Sequence, residues 1–529
     1  MDLIENLWNR ITARDRDCFF GALAAGLLTH LYALTNKLPN WDDISNIDRP
    51  GAMNDFGRWF LRFVQPWVSS YSVPALKGAV TILLLALTAV MVCRALRLRS
   101  AAAAFLVGIT MVTFPAVTSG MLFMFTIASY AVAVLMTGAA VWSTLRFRFG
   151  WIPGALLLCL SLGIYQAYLP FAVALFLIAI QLMLLRGAAL RPILAAAFHE
   201  LLALCFALAG YLVMLRRYQL SDYRGINSVG ETAPAEMLEA FLRAYHRILE
   251  FFLTKPMSYT SDFQRILNAL VILGVCCMTA FLFVRGGLHR KPLIAFLFGL
   301  TVFLTPLGMS LVYVMAPEVT HASTLMIFSY MTVYFLAAAL AEELTAEEKG
   351  QGGADHRNVG QSGTGKDKTI RGRSAARMGS ALMAVLIFCI ACSNYKMANE
   401  AYFRTGMAMT RVENFYERIL VRLEVEGGWD YGKTYAVLGD YWPEKNILSS
   451  FDLMEGRFED LEGLAIENGL FTSGVRHDFI RSYMGIDAPY AASEQCETIM
   501  ASDAYAQMAA YPGEGCVREI DGVWVVKIR

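Results

Sequence analysis

Charge is what this chain has least of. Only 17% of its 529 residues are charged, and 45 Lys and Arg against 44 Asp and Glu leave a net charge of +1. That balance excludes a broad basic surface, and no stripe of interleaved Lys and aromatics appears, so nothing here would neutralise a nucleic-acid backbone. A secretory leader is missing too. The first apolar run, about 19 to 36, lacks a small-residue cleavage site and is followed by many similar runs, so it reads as a first membrane span. Metal-ligand spacing is absent as well: Cys276 and Cys277 have no His or second Cys pair at zinc spacing. Nor is there a complete phosphate loop. Gly360, Gly365 and Lys366 stand at that spacing, but Asp367 replaces the Ser or Thr that would hold magnesium and no apolar strand precedes it.

What the chain has in abundance is apolar sequence, 57% of residues with a mean hydropathy of +0.47. A spanning helix needs about 20 mostly apolar residues, and roughly eleven such runs are present. They centre on 19–36, 74–93, 101–118, 121–143, 151–167, 169–185, 194–214, 266–284, 292–315, 322–341 and 378–395. Backbone groups at membrane depth must be paired, so each run is expected to be a helix. The fold class is therefore a polytopic α-helical membrane protein of about eleven spans.

Basic residues follow alternate ends of these runs. Arg10, Arg14 and Arg16 precede the first, Arg94, Arg97 and Arg99 follow the second, and Arg146 and Arg148 follow the fourth. Arg186 and Arg191, then Arg285, Arg290 and Lys291, then the stretch 349–377 continue the series. By the positive-inside tendency the N-terminus is cytoplasmic and the tail outside. The expected organisation is a transmembrane domain over 1–395 with outside loops at 37–73 and 216–262, a flexible Gly-rich cytoplasmic loop at 345–377, and an outside α/β domain over 396–529. In an oxidising compartment Cys496 and Cys516 would pair as a disulfide, or remain two thiols. Within the second outside loop, "AEMLEAFLRAYHRILEFFL" repeats apolar residues at helical spacing, which suits a helix lying on the membrane surface or packed on the bundle.

The first outside loop reverses the chain's scarcity of charge. "LPNWDDISNIDRPGAMNDFGRWFLRF" gathers Asp42, Asp43, Asp48 and Asp55 with Arg49, Arg58 and Arg62. One reading is a solvated loop whose charges pair with each other. The other is chemical: a carboxylate near a membrane surface can take a proton from an attacking hydroxyl, and Arg forks bind phosphate oxygens. Two adjacent carboxylates can also hold a divalent ion, magnesium or manganese. A base with phosphate ligands outside the membrane suits attack on a sugar carried by a polyprenyl phosphate, since nucleotide sugars are not available there. Arg216, Arg217 and Arg224 run against the positive-inside tendency and would clamp a lipid phosphate or contact head groups. His199 with Glu200 reads as structural.

"WDDISNIDRP" followed by "NDFGRWF", together with "LSLGIYQAYLP" at 160–170, resembles the O-antigen glucosyltransferase (Gtr type II) family, itself similar to the wider GT-C class of multi-span enzymes. The resemblance is specific at these two places. It implies transfer of a glucosyl group from polyprenyl phosphate to a surface polysaccharide such as the O-antigen of lipopolysaccharide, on the periplasmic face of a bacterial inner membrane. It also implies a small flippase and a donor-lipid synthase as companions. By position, Asp42 or Asp43 would be the base or metal ligand, with Asp43 slightly favoured. Arg49 and Arg58 would bind the donor, Tyr165 and Gln166 would hydrogen-bond its head group or tie two helices, and Trp41 and Trp59 would stack on sugar or anchor the interface. A transporter or flippase of lipid-linked saccharides, and a non-catalytic assembly component, are the competing function classes.

Overall fold

The computed structural model describes residues 11–47, 56–218, 234–254, 257–316, 323–352, 363–439, 458–464 and 473–528. Among the described residues, nine helices are long and apolar enough to cross a membrane: Ala13–Thr35, Pro74–Ala95, Met124–Arg146, Gln166–Leu185, Leu190–Tyr218, Asp262–Arg285, Pro292–Met309, Thr324–Thr345 and Ser374–Gly427. A bent pair, Ala101–Thr113 with Pro115–Met121, makes a tenth if counted as one span. The short apolar helix Trp151–Leu162 completes the set. Every predicted run falls on one of these elements, and the chain is a polytopic helical membrane protein.

Two of the runs depart from a straight span for local reasons. Phe114 precedes Pro115, whose ring disfavours a helical conformation on its predecessor, and Phe114 is extended with φ −62° and ψ 142°. The helix there bends by 40°. Trp151–Leu162 has 12 residues, roughly 18 Å of helix, too short to cross about 30 Å of hydrocarbon alone. It stops at Gly163, whose carbonyl is taken by incoming loop backbone from Phe60 (2.7 Å) and Leu61 (3.2 Å).

The bundle has two chemically distinct ends. At one, Arg94 donates to Asp15 (2.9 Å), Glu342 accepts the N–H groups of Arg99 (2.8 Å) and Ser100 (2.7 Å), and Arg186 donates to Glu343 (2.7 Å). Arginines from several of the sequence clusters thus meet there. The loops 37–47 and 56–73 lie at the other end.

Helix Pro234–Leu253 packs on the bundle, one of the two expectations for its segment. Ala240, Ala244, Ile248, Phe251 and Phe252 are buried against the bundle, while Leu238, Leu242, Leu249 and Leu253 remain exposed on another face. Tyr245 donates to the Phe303 carbonyl at 2.6 Å.

The last span does not end near 395. Helix Gly363–Gly427 runs through that boundary without a break, so the bundle and the tail share one rod. The helical ends Thr332–Gly352 and Gly363–Gly427 also enter the 345–377 stretch expected to be a flexible loop. Beyond the rod a three-stranded sheet forms from β1 (Tyr435–Leu438), β2 (Val517–Ile520) and β3 (Val523–Lys527) in the order β1-β3-β2. β1 pairs parallel with β3, and β2 pairs antiparallel with β3 through a tight turn in which Asp521 and Gly522 take positive φ. One face packs on the rod, where Val412, Tyr416, Ile419 and Leu423 meet Val437 and Val526. The expected Cys496–Cys516 disulfide is not formed: both are buried free thiols. Cys496 points its sulfur at the Ala491 carbonyl (3.6 Å) within an apolar cluster, while Cys516 sits just before β2.

Candidate active site

The site grows from a five-residue helix, Trp41–Ser45. Asn40 caps it, accepting the Asp43 N–H at 2.9 Å, and anchors it by donating to the Leu122 carbonyl at 2.8 Å. Neighbouring residues on so short a helix face different surroundings, and this separates the two carboxylates. Ile44 is buried in the tail cluster with Phe479 and Ile480. The acidic helix is therefore clamped between bundle and tail.

Asp43 is fully buried. Its carboxylate accepts the N–H groups of Met124 (3.0 Å) and Phe125 (2.8 Å) and the Ser72 hydroxyl (2.9 Å). Helix Met124–Arg146 has no side-chain cap of its own, so Asp43 supplies it from a distant part of the chain. Lys77, also buried, donates to the Phe125 carbonyl at 2.7 Å and adds its charge to the same corner. Burial pushes the Asp43 carboxyl up to about 7 against these stabilising donors. Asp43 is thus already engaged in holding a helix end.

Asp42 is half-buried. Burial raises its carboxyl above the ordinary range, and the charge of Arg58 opposes that rise. Arg58 lies over the Tyr165 ring, its guanidinium carbon 5.3 Å from the centroid. Tyr165 in turn stacks on Tyr130 at 4.5 Å and meets Tyr168 edge-on at 5.3 Å. A cation therefore lies over a buried aromatic floor, with the Asp42 carboxylate within reach of its charge.

A left-handed turn aims Arg58. Phe56 and Gly57 have φ of 62° and 77°. Gln166 donates to the Phe56 carbonyl (2.7 Å) and to the Tyr211 hydroxyl (2.8 Å), which ties the loop to two helices. A Cβ at Gly57 would run into the Tyr211 hydroxyl and lie 2.7 Å from Gln166 Nε2. Gly57→Ala is accordingly expected to displace Arg58 and lower transfer at least about tenfold while costing roughly 1–3 kcal/mol of stability. Steady-state rates and thermal unfolding of the purified variant check this.

Trp59 takes a different place from that expected of a sugar-stacking residue. It is buried, with its ring stacked on Tyr218 at 6.2 Å and packed beside Phe60 and Gly163. Both faces are therefore covered by protein. Trp41 stays half-exposed, edge-on to Phe123 at 6.4 Å. Arg216 and Arg217 are exposed at the end of helix Leu190–Tyr218, next to Tyr218. Arg62, a further cation of this loop, lies 4.3 Å over that Tyr218 ring. Arg49 and Arg224 lie outside the described residues.

Sequence reasoning missed one wall entirely. Segment 458–464 of the tail crosses the loop end of the bundle, with Phe458, Leu461 and Leu464 buried in the main apolar core. Thr324 donates to the Asp460 carbonyl (2.6 Å), Asp460 N–H donates to Ser258 Oγ (2.9 Å), and Ser119 donates to the Glu462 carbonyl (2.7 Å). Gly463, at φ 92°, passes close to Leu122, Phe123 and Asn40. The Glu462 charge acts on the Tyr165 hydroxyl, so a second carboxylate lies within electrostatic range of the same floor. The available signal was the spacing of Phe458, Leu461 and Leu464 among acidic residues, a stripe with no motif attached.

Among the described residues no group of three or more His, Cys, Asp or Glu gathers as a metal site, and the Asp43 oxygens already accept three donors. No curated protein and no solved structure matches the chain. A family model described as glucosyl transferase GtrII matches residues 31–336, a stretch that begins before the acidic helix and runs past Tyr211 to the buried helix Thr324–Thr345. Matched over more than half of its length, the chain belongs to the GtrII glucosyl transferase family.

Proposed function

We propose that this membrane glycosyltransferase moves a glucosyl group from a polyprenyl phosphate to a surface polysaccharide, with lipopolysaccharide O-antigen as the acceptor class. The reaction takes place on the periplasmic side of a bacterial inner membrane, with the N-terminus cytoplasmic and the tail periplasmic. The observation that carries this reading is the half-buried Asp42 within reach of the charge of Arg58, which lies over the Tyr165–Tyr130 floor. An acceptor hydroxyl attacks the anomeric carbon, its proton passes to the Asp42 carboxylate, and the bond from that carbon to the phosphate oxygen breaks. The leaving lipid phosphate gains negative charge, which Arg58 is placed to balance, with Arg216 and Arg217 guiding the head group from the rim. A single displacement of this kind inverts the anomeric centre. Asp43 positions rather than reacts, and Glu462 orients acceptor hydroxyls from the opposite wall. A donor of this class must be made and turned across the membrane elsewhere, which calls for a donor-lipid synthase and a small flippase as partners.

The pH profile tests the Asp42–Arg58 pair. A base must be ionised, so transfer rises with pH through the Asp42 pKa, which burial sets above the ordinary carboxylate range. Arg58 favours the carboxylate, so Arg58→Gln is expected to shift the acidic limb of kcat/KM to higher pH as well as reduce its plateau. An acidic limb that stays put or moves to lower pH contradicts the pairing.

A further inference from the structure

The end of the bundle opposite the candidate active site holds a cavity of about 190 Å³ that this chemistry does not use. Arg97, Arg146, Arg186 and His199 line it together with Thr144, and no carboxylate is among its lining residues. Arg186 is balanced by Glu343 at 2.7 Å. Among the described residues no carboxylate pairs with Arg97 or Arg146. Arg97 also occupies the left-handed region at φ 55°, a conformation that glycine usually takes where a helix ends. Retaining a long cation there strains the backbone. Cations at helix C-termini complement the helix dipole, which accounts for one arginine at each end but not for their convergence on a shared polar cavity.

Apolar surface borders this cavity. Phe147, one of its lining residues, and the neighbouring Phe149 and Ile152 are each at least half exposed. Cations in a cavity at the end of the spanning helices, edged by exposed apolar side chains, match an amphiphile with an anionic head and a hydrocarbon tail.

We propose that this cavity binds the phosphate head group of an anionic phospholipid, whose acyl chain leaves it past Phe147. The site is separate from the transfer chemistry and stands whether or not the sugar donor is a polyprenyl phosphate. The test uses the full chain, stripped of lipid in detergent and titrated with phosphatidylglycerol, phosphatidylcholine or inorganic phosphate, with bound species read by native mass spectrometry. Wild type should retain phosphatidylglycerol over phosphatidylcholine, and the double variant Arg97→Gln, Arg146→Gln should bind it roughly 30-fold more weakly, each cation near a lipid head group being worth about a factor of five. Arg148→Gln, which removes an exposed cation next to the cavity but outside its lining, should bind as wild type. Equal retention of the two lipids, an unchanged affinity in the double variant or an equal loss in Arg148→Gln would each overturn the site. Displacement of phosphatidylglycerol by inorganic phosphate at matched concentration would overturn the lipid as its source.

Discussion

Asp43→Ala should abolish transfer by destabilising the loop end of the bundle, not by removing a base. The substitution leaves two helix N-terminal N–H groups and the Ser72 hydroxyl without their acceptor, and leaves the buried Lys77 charge without its nearest compensating carboxylate. Each buried donor left unpaired costs about 1–3 kcal/mol, and an uncompensated buried charge adds to that, so a loss of roughly 3–5 kcal/mol is expected. Thermal unfolding and limited proteolysis in detergent should report a less stable protein, and the folded fraction and the transfer rate should fall together. Asp43→Asn keeps one acceptor oxygen but turns an amide N–H₂ toward the helix end, so it should lie between wild type and alanine. Full stability with no transfer in Asp43→Asn would instead make Asp43 the reacting group.

Asp42→Asn should give the opposite pattern. The residue is half-buried and takes no part in capping Met124–Arg146, so stability should stay within about 0.5 kcal/mol of wild type. Loss of a positioned general base typically removes 10² to 10⁴ in rate, and a decrease of about that size is expected in kcat. KM for the lipid donor should change little, because Arg58 remains in place over Tyr165. Asp42→Glu should restore part of the rate, since a carboxylate returns on a longer arm. A change confined to KM would assign Asp42 to binding and leave the proton without its acceptor.

The contrast between these neighbours explains how far the sequence could be read. Two adjacent aspartates look alike in a chain, and the slight preference for Asp43 as base had no local feature to rest on. What separates them is the N-terminus of a helix that begins more than 80 residues later, at Met124, and needs an anion. The spans were legible because hydrocarbon demands long apolar runs, and Pro115 even marks its own bend. The rim was not. Trp59 read as either a sugar platform or an interface anchor, yet Gly163 and Tyr218 bury it, and both of those neighbours come from elements about 100 residues or more away. The tail looked separate because its composition changes near 396, whereas helix Gly363–Gly427 carries straight across and returns Phe458, Leu461 and Leu464 to the bundle. Amphipathic change along one helix resembles a domain boundary until its packing is seen.

The most direct test of the account is transfer of labelled glucose from polyprenyl phosphate-glucose to purified O-antigen polysaccharide by the protein in proteoliposomes, comparing wild type with Asp42→Asn and a stability measurement on both. The account predicts transfer by the wild type and near-complete loss in an Asp42→Asn protein that unfolds at the same temperature. Undiminished transfer by Asp42→Asn would contradict the assignment of the base. No transfer by the wild type, with movement of the lipid-linked sugar across the bilayer instead, would contradict the proposed reaction and favour a transporter.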